Sequence, residues 1–386
     1  MRICVTGLRG IPAVMGGVET HCEELMPRIK ALRPALDIKI LARAPYVGQQ
    51  SYTYRDVRII PLPSLRQASL EAIFSTLLGV LYAQLTARAN IVHIHAIGPA
   101  LWAPLVRLLG AKVVITHHGK DYERAKWNSA GRAMLKLGEW AGMQSSDVII
   151  AISPSLAEDL KIRFPRKAAS IVCIPNGAPA PAEDEPHEDV LSKFGLQEGQ
   201  YVVAVGRLVP EKGFHDLIAA HKQSADSRTL VIVGDADHDS DYSRGLKSQA
   251  HDNVVFAGRQ KRSVVRQLLE RASLFVLPSY HEGLPIAALE AAAAGAPILL
   301  SDIAPNRDLQ LADRNYFPTG DIDALAARLA APADSYKVDA TAVCSLFSWD
   351  RAAIETLAVY DRISNPRRNR APLSVAGRDP AIGNDI

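Results

Sequence analysis

Short runs of aliphatic and β-branched residues recur along the chain, each bounded by Gly, Pro, Ser or a charged residue. The first series is RICVTG, DIKILAR, VRIIPLP, NIVHIHAI, KVVITHHG, DVIIAIS and SIVCIPNG; the second is YVVAVGR, TLVIVGD, NVVFAG, LFVLPSY and APILLSD. Segments with helical spacing separate the runs. Such alternation predicts parallel sheets buried on both faces and joined by crossover helices. The series restarts after residue 190. Between the two series lies PNGAPAPAEDEPHED, residues 175–189, rich in Pro and acid and without periodicity, which reads as a linker. The expected architecture is α/β: two doubly wound Rossmann-like domains facing a cleft, with ligand at the carboxyl ends of the strands near their switch points.

The length of 386 residues supports this division, since it exceeds what one compact core usually holds. An apolar fraction of 48 % with 22 % charge is that of a globular chain. The expected bounds are 1–175 for the first domain, 176–189 for the linker, 190–345 for the second domain and 346–363 for a last helix. The remainder, 364–386, has few large apolar residues and is expected to be a disordered tail. Leu65 to Leu85 is the longest apolar candidate. Arg66, Gln67, Glu71, Ser75, Thr76 and Gln84 interrupt it, leaving it short of the ~18–20 apolar residues of a span, so it reads as a helix and not a span, one expected to help a basic first domain rest on an anionic leaflet.

Four cysteines show no C-x-x-C pairing, and no histidine cluster has zinc spacing, so reduced thiols and no structural metal are expected. The opening MRICVTGLRG lacks a basic segment followed by an apolar one, and a cytoplasmic protein is expected. The net charge of +3 conceals an asymmetry: residues 1–175 hold 22 Lys and Arg against 12 Asp and Glu, whereas the rest hold 22 against 29. A basic half favours an anionic partner, and an anionic membrane surface or lipid phosphate fits. The basic residues are scattered without interleaved aromatics, so no nucleic-acid partner is expected.

Candidate chemistry lies at three strand ends. Gly16 and Gly17 precede a helix beginning near Val18, where backbone N–H groups and the helix dipole can receive a phosphate; a tight strand-to-helix loop would have the same glycines. The spacing departs from G-x-G-x-x-G, against a dinucleotide dehydrogenase. In VVAVGRLVPEKGF, Arg207 and Lys212 can converge on a diphosphate, or simply form a solvated basic loop. In SYHEGLPIAALEAAAAGAPILLSD, Pro285 suits a first helical turn and the Ala-rich run carries the helix to Gly295. Glu282 then stands at the helix mouth, with Glu290 inside the helix. Two acceptor-only groups flanking an amide-rich helix start fit a nucleotide sugar, which has ribose hydroxyls, a diphosphate and sugar hydroxyls. The alternative is an exposed loop acid and a glutamate paired in the core. His93 and His95 in NIVHIHAI lack a third metal ligand and read as one packed histidine and one cleft residue.

HEGLPIAALEAAAAGAPILLSD resembles the E-x7-E signature of the retaining glycosyltransferases of family four, whose two-domain architecture is called GT-B. The resemblance extends to the Gly16-Gly17 loop, THHG with His118, VGRLVPEKG and the FSW start of the last helix, which in that family crosses back to the first domain. HHGKDYERAKW resembles a subgroup that builds bacterial surface polysaccharides by transferring rhamnose, glucose or galactose. The resemblance implies that Gly16 and Gly17 face the donor diphosphate, with Arg207 and Lys212 neutralising it. It implies that Glu282, beside Gly283 and Leu284, holds the transferred sugar, that Glu290 holds the ribose, and that Arg259 and Lys261 flank the base. His118 would lie beside the sugar, with Asp121 and Arg124 on the acceptor side. The implied enzyme is a hexosyltransferase needing no metal or other cofactor, with a polyprenyl-diphosphate-linked or saccharide acceptor, cytoplasmic or peripheral on the inner membrane face. A GT-B-like nucleotide-sugar epimerase and a non-catalytic nucleotide-sugar-binding subunit are the alternatives.

Overall fold

A computed structural model describes residues 1–64, 68–124, 127–179, 190–224, 226–236 and 240–365. The first sheet holds β1 (Arg2–Thr6), β2 (Asp37–Arg43), β3 (Tyr52–Tyr54), β4 (Val57–Leu62), β5 (Ile91–His95), β6 (Lys112–His117), β7 (Val148–Ala151) and β8 (Ile171–Cys173). Their spatial order is β3-β4-β2-β1-β5-β6-β7-β8, parallel except for the β3–β4 hairpin. The second sheet holds β9 (Tyr201–Val205), β10 (Thr229–Val233), β11 (Val254–Gly258), β12 (Leu274–Leu277), β13 (Ile298–Ser301) and β14 (Tyr316–Phe317), in the order β11-β10-β9-β12-β13-β14. Both sheets are Rossmann-like, as the continuous apolar runs require: strands such as β5, β9 and β12 are buried along nearly their whole length, with helices on both faces.

The strand order reverses between β1 and β5 in the first sheet and between β9 and β12 in the second. Crevices at the carboxyl ends of such strands receive ligands. The loops after β1, β9 and β12 carry Gly16-Gly17, Arg207-Lys212 and Glu282, respectively. The topology therefore brings the candidate motifs to the facing edges of the two sheets.

Two elements missed by the strand reading are short. β3 joins β4 through Arg55 and Asp56, both at positive φ (44° and 64°), a tight turn made without the glycine or asparagine that would have advertised it. β14 has only two residues. The Leu65 region forms a helix over Ala68–Leu81, continued by a π-helical turn to Thr86; its expected first residues, 65–67, fall outside the described residues. Residues 180–189 of the expected linker and 366–386 of the expected tail also fall outside them. No described helix is long and apolar enough to cross a membrane.

The last helix, Trp349–Ser364, leaves the second domain and packs into the core of the first. Trp349, Ala353, Val359 and Tyr360 are buried with Ile3, Val5, Met26 and Ile40. The FSW sequence explains its start: Phe347 and Trp349 are buried, and the Ser348 hydroxyl caps the helix by accepting from the Arg351 N–H. Arg28 pairs with Asp350 at 3.0 Å, and Arg33 pairs with Asp361 near the other end. Where the returning chain meets the segment leaving the first domain, a Cβ on Gly177 would lie 2.1 Å from the Trp349 nitrogen, so only glycine fits. A further apolar cluster runs without a break from Ile149, Ile152 and Leu156 to Leu284, Leu289 and Leu300, so the two halves pack directly together.

Candidate active site

The glycine loop after β1 is held from within. Gly16 caps the helix Gly17–Leu32 with φ of 147°, and a Cβ there would lie 2.1 Å from a Glu19 carboxylate oxygen. Glu19 accepts from the Arg9 backbone N–H at 3.0 Å and from the Arg9 side chain at 3.1 Å, which fixes the approach to the helix. The space into which a Gly17 side chain would project is open, with no atom within 4 Å. The helix start is thus free to receive a group from the cleft.

Opposite, the loop after β9 carries Arg207, half-buried, and then Lys212 in a short 3₁₀ turn that ends at Gly213 in the left-handed conformation (φ 66°). A Cβ on Gly213 would meet the Pro278 carbonyl oxygen at 2.1 Å, so this glycine lets the loops after β9 and β12 touch. Lys212 Nζ donates to Glu282 Oε1 at 2.5 Å, and the Ser279 hydroxyl donates to the same oxygen at 2.7 Å. Burial alone would raise the Glu282 carboxyl; the Lys212 charge and the hydrogen bonds from Lys212 and Ser279 outweigh it and hold the group below its ordinary value. Glu282 is therefore an anion with a cation on it. The two residues, expected on different parts of a ligand, meet each other.

The helix bearing Glu290 runs over Ile286–Ala293, with Pro285 at the N-cap and the end two residues before Gly295, whose φ of 73° terminates it. No described side chain hydrogen-bonds Glu290. Burial pushes its carboxyl up to about 7, against the pull of Arg262 and with a further push from Glu24. Such a group is poised for hydroxyl donors from a ligand.

The strand end after β6 faces this pair. His117 donates to Glu139 at 2.9 Å and accepts from the Gly119 N–H at 3.2 Å, and Arg163 completes the buried pairing with Glu139 at 2.8 and 2.9 Å. This anchors the turn that presents His118. His118 bonds through Nε2 to His95 Nδ1 at 3.0 Å. Burial, followed by the proximity of His21, holds the His118 imidazole well below its ordinary value and thus neutral at pH 7. A Cβ on Gly283 would lie 2.2 Å from the His118 carbonyl oxygen: the two halves of the cleft touch at His118 and Gly283. Leu284 is buried behind this contact.

Asp121 and Arg124 form an ion pair at 2.8 Å, and Arg124 also approaches Glu211 of the other half at 3.9 Å. Arg259 and Lys261 stand exposed after β11. Arg262, the next residue, crosses the cleft to pair with Glu23 at 3.6 Å and with Glu24. Sequence reading passed over Arg262, Glu211 and His281, whose partners lie far away in the chain, and Ser279, which bonds Glu282 three residues on. Both NIVHIHAI histidines are buried: His93 is bonded at both nitrogens, to the Tyr360 hydroxyl and to Thr116, each at 2.7 Å, while His95 adjoins His118.

Residues 15–180 match the family Glycosyltransferase Family 4, and residues 188–336 match Glycosyl transferases group 1. The chain is a family-four GT-B glycosyltransferase. It is 28 % identical to the alpha-maltose-1-phosphate synthase of Mycolicibacterium smegmatis over 94 % of this chain and 100 % of that one. The sucrose-phosphate synthase of Thermosynechococcus elongatus shares the fold, with a TM-score of 0.78 and 20 % identity over 94 % and 99 % of the two chains. Anabaena HepE in complex with UDP and glucose has a TM-score of 0.70 and 16 % identity over 94 % and 99 %. The facing sheets of this glycosyltransferase thus frame a cleft of the GT-B type, with the E-x7-E glutamates on its second-domain wall.

Proposed function

We propose that this glycosyltransferase moves a hexose from a nucleoside-diphosphate sugar to a polyprenyl-diphosphate-linked or saccharide acceptor, with retention of anomeric configuration and without a metal ion, in the assembly of a bacterial surface polysaccharide. The observation that carries the reading is the Lys212–Glu282–Ser279 cluster at the β9–β12 switch point, facing His118 across the cleft. A sugar diphosphate entering there meets Arg207 and Lys212 at its phosphates and the Gly17 helix start on the opposite wall. Glu282 is ionised and accepts from sugar hydroxyls; Glu290 lies one helix turn and more away, suited to ribose hydroxyls. The UDP and glucose in the HepE structure support a donor of this class.

As the glycosidic oxygen departs, negative charge builds on the diphosphate. Fixed cations and N–H groups stabilise it by a few kcal/mol per donor, about what a divalent ion would otherwise supply. No carboxylate is assigned behind the anomeric carbon, and a same-face reaction in which the leaving phosphate takes the acceptor proton fits that arrangement. The HHGKDYERAKW segment supports the polysaccharide subgroup. For the membrane, the helix Ser129–Ser145 turns Arg132, Lys136, Leu137 and Trp140 outward, and Leu108 and Leu109 are exposed at the end of the helix packed against it. An outward face of aromatic, aliphatic and basic residues suits an anionic lipid surface.

The test is to incubate the chain with a panel of nucleoside-diphosphate sugars and bacterial lipid extract in EDTA, and to follow nucleoside diphosphate release and the product's anomeric proton by NMR. Acceptor-dependent release giving the donor's anomeric configuration is expected. Interconversion of the donor sugar without transfer would establish the epimerase alternative instead.

A further inference from the structure

Three imidazoles from distant parts of the chain converge behind the cleft: His21 on the first helix, His95 at the end of β5 and His118 after β6. They are 1 %, 0 % and 9 % exposed. Their ring centroids stand 5.3, 4.9 and 5.3 Å apart, nearly an equilateral triangle, and one ligating nitrogen of each lies within 4.8 Å of the others. The Asn176 side-chain oxygen accepts from His21 Nδ1 at 2.8 Å, which leaves the His21 Nε2 lone pair free. That Nε2 is buried with no partner among the described residues, while His95 Nε2, likewise unpartnered, is free to take up the ring proton when Nδ1 ligates. Buried unpartnered ring nitrogens are costly unless something fills the space between them.

We propose that His21, His95 and His118 bind one divalent transition-metal ion of the zinc class, and that this ion inhibits transfer. Three neutral imidazoles suit Zn²⁺, Co²⁺ or Ni²⁺ and not the oxygen-seeking Mg²⁺. Zinc takes histidine nitrogen at about 2.0–2.1 Å, which places tetrahedral ligands roughly 3.3 Å apart. His95 Nδ1 and His118 Nε2, at 3.0 Å, already stand near that separation. The other pairs, which stand within 4.8 Å, close by ring rotation. On binding, the ion takes the place of the proton shared by His95 and His118, which moves to the other nitrogen of the ring that carried it, so that all three imidazoles stay neutral; the fourth position goes to water. His93 takes no part, since both its nitrogens are bonded. Inhibition, unlike binding, rests on the proposed placement of His118 beside the sugar.

Co²⁺ titration of the full chain reads binding directly. One equivalent, with the visible bands of a four-coordinate site, displaced by Zn²⁺ and accompanied by a rise in Tm, is expected; no Co²⁺ bound at about 100 µM overturns the proposal. H21Q and H95Q are both expected to lose the bands and the Tm rise, whereas binding unchanged in both variants overturns the assignment of the ligands. With wild-type protein and an active donor, Zn²⁺ is expected to reduce transfer at least tenfold and EDTA to restore it, with Mg²⁺ doing neither. Binding without inhibition overturns the regulatory half alone. Absence of transfer from every donor would defeat the transferase reading and leave the Co²⁺ result standing.

Discussion

Lys212 and Glu282 form a 2.5 Å ion pair at the floor of the cleft, so neither acts alone on a ligand. Removing one leaves the other as a buried charge without its partner. Glu282→Gln is expected to lower kcat by about 10²-fold or more, and Lys212→Met by a comparable factor, because Lys212 meets the negative charge that builds on the leaving group and Glu282 the positive charge that builds on the sugar. The double variant should lose much less than the product of the two. Donor affinity in the Arg207→Ala, Lys212→Met cycle should likewise be non-additive, since both cations meet one diphosphate. Strictly additive losses would assign them to separate ligands.

The Glu290 carboxyl, raised by burial to about 7, makes two pH effects. Between its ordinary value of 4.5 and about 7, the folded chain holds a proton that the unfolded chain has released, so this group's contribution to stability falls as pH rises through that window. A ligand whose hydroxyls need the carboxylate binds better as pH passes through 7, by about tenfold between pH 6 and 8. Calorimetric titration with a nucleoside diphosphate checks this against Glu290→Gln, which should bind weakly and without that increment. A variant with wild-type affinity and pH profile would remove Glu290 from the ribose.

Gly283 is tested by its neighbour across the cleft. Gly283→Ala adds a methyl 2.2 Å from the His118 carbonyl oxygen, which forces the two walls apart. Displacement of the reacting groups by about 1 Å is expected to cost roughly 10²-fold in kcat/KM with little change in Tm. Wild-type activity would show that catalysis does not use the closed contact.

Much of the fold was legible because strands buried on both faces leave continuous apolar runs, and twelve of them could be seen by eye. Arg55 and Asp56 concealed β3 by turning without glycine. Glu282, Arg207, Lys212 and His118 were legible as residues on strand-end loops, and Glu290 as one inside the helix that follows. Their pairing was not: Lys212 and Glu282 are 70 positions apart, and His21 meets Asn176 across 155. Arg262 gave no local signal either, because its importance lies in Glu23 and Glu24 on the other wall.

Membrane association should follow the outward face of the Ser129–Ser145 helix. Each basic residue near an anionic leaflet contributes on the order of 1 kcal/mol, decaying within a Debye length of about 8–10 Å. Flotation with anionic vesicles is expected at low salt and lost at high salt, and Leu137→Glu with Trp140→Glu should abolish it while leaving transfer to a soluble acceptor intact. Equal recovery on neutral and anionic vesicles would rule out the electrostatic attachment.

The most direct measurement is nucleoside diphosphate release from the best donor of the panel, in EDTA and with saturating acceptor, compared between wild type and Glu282→Gln. Acceptor-dependent release by wild type, reduced about 10²-fold or more in the variant with its fold intact by circular dichroism, is the expected result. Release at the wild-type rate by Glu282→Gln would contradict the assignment of the Lys212–Glu282 pair to the reacting sugar diphosphate.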